Sequence, residues 1–304
     1  ALFLLAISQF ATGQTLKTYS GVYQGGEATY TYYENSKGER IKEGKFSFSK
    51  IRYNLLDRDK ISGKTIMSGR YQNNKKNGKW TYDFIGIGEL PGVDAYAPKQ
   101  LQVIGEYKNG NMDGVFTFSK EFPSLRKFTT NQYNLRNNQI VGSINGYYPI
   151  EDSYGKFYTI TGQFDSNGYP DGKWTARFET DNLYIITETY IHGMLVSRTK
   201  ENASTGEIEQ QGFTSIADFI LGFSHDISPQ KFIETYDSIS NKAIIDGYVY
   251  TTKTVYSTFQ TKLIPNVCES EFREYLDFDP FDVAFEEEIR AYRRIPYKKI
   301  VRIG

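Results

Sequence analysis

A glycine–aromatic alternation that keeps returning limits what this chain can fold into more than any other feature. Gly69-Arg70-Tyr71 leads through an Asn-rich turn to Gly78-Lys79-Trp80-Thr81-Tyr82-Asp83-Phe84. Gly105-Glu106-Tyr107 leads through Asn109-Gly110 to Gly114-Val115-Phe116-Thr117-Phe118. Gly162-Gln163-Phe164 leads through Gly168 to Gly172-Lys173-Trp174-Thr175-Ala176-Arg177-Phe178. Gly44-Lys45-Phe46-Ser47-Phe48 is a further second half, and Gly26-Glu27-Ala28-Thr29-Tyr30-Thr31-Tyr32 a degenerate earlier copy. The second-half glycines stand at 44, 78, 114 and 172, with spacings of 34, 36 and 58. The unit therefore reads as a repeat stretched by insertions at 51–66, 84–102 and 119–160.

Residues two apart in a strand share a face, so Trp80, Tyr82 and Phe84 point one way while Lys79, Thr81 and Asp83 point the other. Phe46 with Phe48, Phe116 with Phe118, and Trp174 with Ala176 and Phe178 repeat the pattern. Neighbouring strands would stack these rings into a cross-strand ladder. The Asn- and Gly-rich links supply the positive φ that tight hairpins require. The expectation is an antiparallel β-meander with one apolar and one polar face. A composition of 25 Tyr, 21 Phe and 27 Gly with 3 Met agrees with strands and turns, and excludes intrinsic disorder.

The Gly-x-aromatic, polar turn, Gly-Lys-Trp pattern resembles the MORN repeat, in the variant found in bacterial proteins labelled antitoxin-like. Tyr32-Tyr33-Glu34-Asn35 leading to Gly38 and then Gly44-Lys45-Phe46 has the look of that variant, as does Gly193-Met194-Leu195-Val196 with its turn through Thr205-Gly206. The resemblance covers roughly residues 20–212; the long insertions depart from the tight spacing of such repeats. It implies an elongated sheet of stacked hairpins with a scaffolding or binding role. Lipid binding has been proposed for some members, but this chain has no basic cluster to support it.

Residues 213–304 differ. Ser215 and Asp218 resemble a capping box before Ile216, Phe219, Ile220 and Phe223, and Ser228-Pro229 suits the start of a helix carrying Phe232, Ile233, Tyr236 and Ile239. Tyr, Val and Thr alternation predicts strands within 242–264. Asp279-Pro280 opens another helix with Phe281, Phe285, Ile289 and Tyr292 on one side, Pro296 stops it, and Tyr297–Ile303 reads as a closing strand. This part is expected to be an α+β cap on the open repeat sheet, or a small second domain.

Ala1–Phe10 is uncharged, apolar and too short to span a bilayer, and Ala11-Thr12-Gly13 has the small residues signal peptidase prefers. Residues 1–13 read as the remainder of a signal peptide, leaving Gln14 as the mature start; a buried N-terminal strand or helix is the alternative. Cys268 is the sole cysteine, so no intramolecular disulfide can form. An exported chain without disulfides points to a bacterial envelope, periplasmic, outer-surface or secreted. The 36 basic and 36 acidic residues balance, which argues against a nucleic-acid partner. No stretch in the mature chain is long and apolar enough to be a transmembrane segment.

Chemistry is sparse. With His192, His225 and Cys268 as the sole residues of their types, no zinc site of His or Cys ligands is expected. His192 reads as a hairpin turn; His225, before Asp226, reads as a loop histidine, with a general base as the alternative. No nucleotide-binding glycine loop or nucleophile elbow is present, so neither catalytic residues nor cofactors are expected. Asp165-Ser166-Asn167-Gly168-Tyr169-Pro170-Asp171 approaches a calcium loop, but Tyr169 stands where an oxygen ligand belongs and a turn explains the residues as well. Asp277, Asp279 and Asp282 cluster at Pro280, where Asp279 serves as a helix cap. Residues 267–288 carry nine acids against Arg273 alone, and residues 289–304 carry six bases and no acid, a split that local pairing explains. The expectation is a non-enzymatic scaffold or interaction module partnering an envelope protein. The alternative is an envelope glycan binder stacking sugars on exposed aromatics, for which Tyr147, Tyr148 and Tyr154 are the named binding residues.

Overall fold

A computed structural model describes residues 15–23, 25–53, 59, 61–86, 100–122, 127–149, 156–179, 184–212, 229–237, 239–240, 242–256, 264–265 and 296–303. Sixteen strands form one sheet: β1 Lys17–Tyr23, β2 Gly26–Glu34, β3 Arg40–Tyr53, β4 Ile61–Gln72, β5 Lys75–Lys76, β6 Gly78–Ile85, β7 Gln100–Lys108, β8 Asn111–Met112, β9 Gly114–Phe122, β10 Lys127–Arg136, β11 Gln139–Pro149, β12 Phe157–Phe164, β13 Pro170–Phe178, β14 Tyr184–Ile191, β15 Met194–Asn202 and β16 Ile208–Gly212. All pairs are antiparallel and follow chain order, with short β5 and β8 pairing back onto β4 and β7. This is the expected meander. Helix α1, Pro229–Thr235, precedes a four-stranded sheet of β17 Tyr236–Asp237, β18 Lys242–Ile245, β19 Tyr248–Tyr256 and β20 Pro296–Arg302. The strands expected within 242–264 and at the close of the chain are present. The expected helices near 215 and 280, and the apolar run at residues 1–13, lie outside the described residues.

The 119–160 insertion proves to be part of the meander. It contains the end of β9, all of β10 and β11, and the start of β12. Gly142, at φ 77°, takes the place of the second-half glycines at 44, 78, 114 and 172, which also have positive φ. The spacing of 58 therefore divides into 28 and 30, close to one repeat each. At Gly44 and Gly172 the returning strand uses two residues more than its partner, between Tyr30/Tyr32 and between Thr161/Gln163, so the glycine marks a bulge.

Alternation sets the core. Phe46, Phe48, Trp80, Tyr82, Phe84, Phe116, Phe118, Tyr133, Trp174 and Ala176 are all buried on one face. Rings meet across strands: Phe46 and Trp80 centroids are 5.3 Å apart, Tyr107 and Phe116 5.5 Å, and Phe164 and Trp174 4.8 Å. The first-half glycine of each unit makes this packing possible. A Cβ on Gly69 would lie 2.3 Å from Trp80, on Gly105 2.2 Å from Phe116, and on Gly162 2.1 Å from Trp174. The ring of the second half occupies the space that any other residue's side chain would fill.

Turns tie successive units together. Asn73-Asn74, Asn109-Gly110, Asn137-Asn138 and His192-Gly193 are two-residue turns with both φ values positive, the geometry that matches hairpin twist. The second residue of each donates its N–H to the preceding unit: Asn74 to Lys42 O at 2.9 Å, Gly110 to Lys76 O at 2.8 Å, Asn138 to Met112 O at 2.9 Å, and Gly193 to Pro170 O at 2.8 Å. Asn74 and Asn138 return the bond, their side-chain oxygens accepting from Lys42 N at 2.7 Å and Met112 N at 2.6 Å. The acceptors all precede a bulge glycine by two residues, and their side chains roof the rings. Lys76 Nζ, nearly buried, lies 4.9 Å from the Trp80 centroid and donates to Tyr82 Oη at 3.2 Å. Met112 and Ile140, two residues before Gly114 and Gly142, are buried in the same core.

The C-terminal unit has its own small core of Phe232, Ala243, Ile245 and Tyr250, which takes Met194 and Ile191 from the β14–β15 hairpin. Lys298 N donates to Gly193 O at 3.4 Å, and Lys298 Nζ sits 5.0 Å from the Tyr169 centroid. Ile239, expected on the apolar side of α1, lies beyond its end at Thr235 and is exposed.

Two substitutions test this scheme. Gly162→Ala should cost about 1–3 kcal/mol by overpacking against Trp174, read as a lower urea midpoint with an unchanged slope. Asn138→Gly keeps the positive φ but leaves buried Met112 N without its side-chain acceptor; a loss of about 1–3 kcal/mol is expected in the same measurement.

Candidate functional site

With the rings turned inwards, the opposite face of the sheet carries the polar side chains in rows set by register. One row runs Ser20, Thr29, Ser47, Ser68, Thr81 through the pairs Ser20–Thr29, Thr29–Ser47, Ser47–Ser68 and Ser68–Thr81. The adjacent row places Lys45 opposite Arg70, and Lys79 on β6 opposite Glu106 on β7. Of these, Thr29, Ser47, Ser68, Thr81, Lys45, Arg70 and Lys79 line an open trough of 580 Å³ across β2, β3, β4 and β6.

The second exposed feature is the edge. Among the described residues β1 pairs only with β2, so no strand covers its outer side, where Tyr19 Oη donates to Val22 O at 3.1 Å. It carries one charge, Lys17, which is engaged with Glu34 at 2.8 Å, and it presents Val22 at 75% exposure. Edges blunted against pairing usually carry more charge than this.

The named tyrosines divide. Tyr147 is half-buried at a seam where β10 and β11 share only three register pairs, from Asn134–Val141 to Arg136–Gln139. Buried Asn131 bridges the opened strands, accepting from Tyr147 N at 2.8 Å and donating to Tyr147 O at 3.3 Å. The Tyr147 ring stacks on Phe157 at 4.9 Å, its hydroxyl donates to Glu179 Oε1 at 2.7 Å, and Lys127 Nζ reaches that hydroxyl at 2.9 Å and Glu179 Oε2 at 3.1 Å. Burial pulls Lys127 down, but its bonds to Tyr147 and Glu179 outweigh this and leave it raised. Burial pushes Glu179 up, but the same partners leave it lowered. Tyr148 corrects the expectation of a binding residue. The strand turns it inwards, 4% exposed, with its hydroxyl 2.6 Å from that of Tyr133, so it belongs to the core. Tyr154 lies outside the described residues, as do His225, Cys268, Asp277, Asp279 and Asp282.

The calcium-like segment is a turn. Asp165 Oδ1 accepts from Asn167 N at 2.8 Å and Tyr169 N at 3.0 Å, as Asn35 Oδ1 does from Lys37 N and Glu39 N. His192 occupies a hairpin turn, where its N–H donates to Asp171 Oδ1 at 2.8 Å. Among the described residues no group of three or more His, Cys, Asp or Glu is arranged to hold a metal ion.

Sequence reasoning missed Glu188, a fully buried carboxylate between Trp174 and Arg198 in the β13–β14–β15 register. Its Oε2 accepts from Tyr190 Oη at 2.8 Å and from Ile264 N at 3.0 Å, while Arg198 Nε stands 3.4 Å from Oε1. Glu188 thereby receives a backbone group 76 residues away and anchors that segment on the sheet. A lone Glu in an alternating strand gives no warning of this. Burial pushes its pKa up, against Arg198, Tyr190 and the Ile264 amide, which pull it down.

Comparison with models of known protein families, with curated proteins and with solved structures found no match in any of the three.

The Glu188 environment makes a pH prediction. Its carboxyl binds a proton more tightly folded than at the ordinary value of 4.5, so its contribution to stability is lost as pH rises above that value. Between about pH 5 and pH 8 the urea midpoint of the parent chain should fall relative to that of Glu188→Gln. Parallel profiles would exclude the effect.

Proposed function

We propose that this chain is an exported repeat protein of MORN-variant type, acting as a non-enzymatic interaction or scaffold module in a bacterial envelope. The observation that carries this reading is the bare, sparsely charged β1 edge on a long continuous sheet, which suits addition of a partner strand. The apolar run Ala1–Phe10 with Ala11-Thr12-Gly13, and a single cysteine, support export. No helix among the described residues is long and apolar enough to cross a membrane. The repeat reading rests on the glycine–aromatic units, with the partner an envelope protein.

A second reading, binding of an envelope glycan, is favoured by the polar trough across β2 to β6 rather than by an exposed aromatic platform, since most of the rings are in the core. The edge is tested by placing a photo-crosslinker at each position from Lys17 to Tyr23 in the full chain within its native envelope fraction. Strand addition predicts one stoichiometric protein adduct with a two-residue periodicity, weakened by Val22→Lys. Recovery of polysaccharide without an enriched protein would sink the scaffold reading.

A further inference from the structure

We propose that the outer trough binds an acidic polysaccharide, with Lys45, Arg70 and Lys79 holding its anionic groups and the Thr29–Ser47–Ser68–Thr81 row meeting its hydroxyls. This rests on the glycan reading and names the ligand class for it.

The cations are placed by register. Lys45 is directly opposite Arg70. Ser68 pairs with Thr81; beyond it the Gly78 bulge shifts the register by two, so that Tyr71 pairs with Lys76, and Lys79, within that bulge, lines the same trough as Arg70. Three positive side chains thus cross three adjacent strands, which at about 4.8 Å per strand is a span of about 10 Å. All three are exposed, and among the described residues none of their side chains has an ion-pair or hydrogen-bond partner. Like charges directly opposite each other on a sheet are destabilising, and a bound anion would relieve that repulsion.

The surroundings select the ligand. Side by side with the cations stand four hydroxyl side chains, which can both donate and accept, as sugar hydroxyls require. The apolar residues in the trough lining, Tyr30 and Phe46, are buried, so no exposed apolar centre is present of the kind a protein interface is built around. Carboxylates bound the cationic stretch: Glu106 opposite Lys79, and Glu27 and Asp83 one row beyond the hydroxyls, with Asp83 accepting from Gln102 at 2.7 Å. They confine the anionic groups of a ligand to β3, β4 and β6. A polymer laid across the strands meets the cations on one flank and the hydroxyls on the other.

The test is binding of the full chain to polygalacturonate oligomers at low and high salt, beside a neutral gluco-oligosaccharide of equal length and vesicles containing anionic phospholipid. Binding to polygalacturonate that weakens with salt is expected, and Lys45→Glu/Arg70→Glu/Lys79→Glu should reduce it about tenfold or more. The triple variant Lys37→Glu/Lys108→Glu/Lys173→Glu, with the same change in net charge at other exposed positions, should bind like the parent. Equal loss in both variants would overturn assignment to the trough. Equal binding of the neutral oligosaccharide would overturn the acidic ligand and leave the glycan reading standing. Binding of neither sugar overturns both readings, and binding of vesicles alone overturns the polysaccharide in favour of a membrane surface. The substituted side chains are exposed, and unchanged thermal unfolding of the variants checks that the sheet is intact.

Discussion

A ring seated where a Cβ would be is the contact on which the large sheet depends. Trp80 over Gly69, Phe116 over Gly105 and Trp174 over Gly162 each draw the aromatic row against the neighbouring strand's backbone. A sheet with one wet face must bury its other face with whatever its own strands supply. Large rings closing over bare backbone are an effective way to do so, and they bury completely here. The turns finish the job: each hydrogen-bonds to the unit before it, so the residue two before each bulge glycine is brought over the rings.

The same arrangement decides what is left for function. Turning the rings inwards removes most of them from any binding surface, Tyr148 among them, and leaves Tyr147 tied to Phe157, Lys127 and Glu179. What remains accessible in the trough across β2, β3, β4 and β6 is polar and ordered. Rows of hydroxyls and cations hold fixed spacing because the backbone ladder holds it, and at one end β1 offers an edge that no strand among the described residues covers. The far end is organised around Glu188 and Met194, where residues near 264 and the small C-terminal sheet dock.

Much of the fold was legible because alternation and turn chemistry are local. Trp80, Tyr82 and Phe84 announce their shared face in seven residues, and Asn-Gly and Asn-Asn pairs announce their hairpins. The β10–β11 hairpin was missed because Asn131, Tyr133 and Leu135 alternate without the glycine–aromatic signature, and their strand was mistaken for insertion. Tyr147 and Tyr148 are adjacent in sequence, so one had to face inwards, but only neighbouring strands reveal which.

The sequence by itself determined the glycine–aromatic strands, the side of each that would be buried and the positive-φ turns between them, since these follow from residue types and short spacings. The tertiary structure alone decided the contacts between units. It placed Asn138 on Met112, closed Trp174 over Gly162, aligned Lys45 with Arg70, and brought Ile264 to a buried carboxylate 76 residues away. Those outcomes depend on register and on burial, and both are properties of strands already assembled: a one-residue shift would turn every side chain to the opposite face.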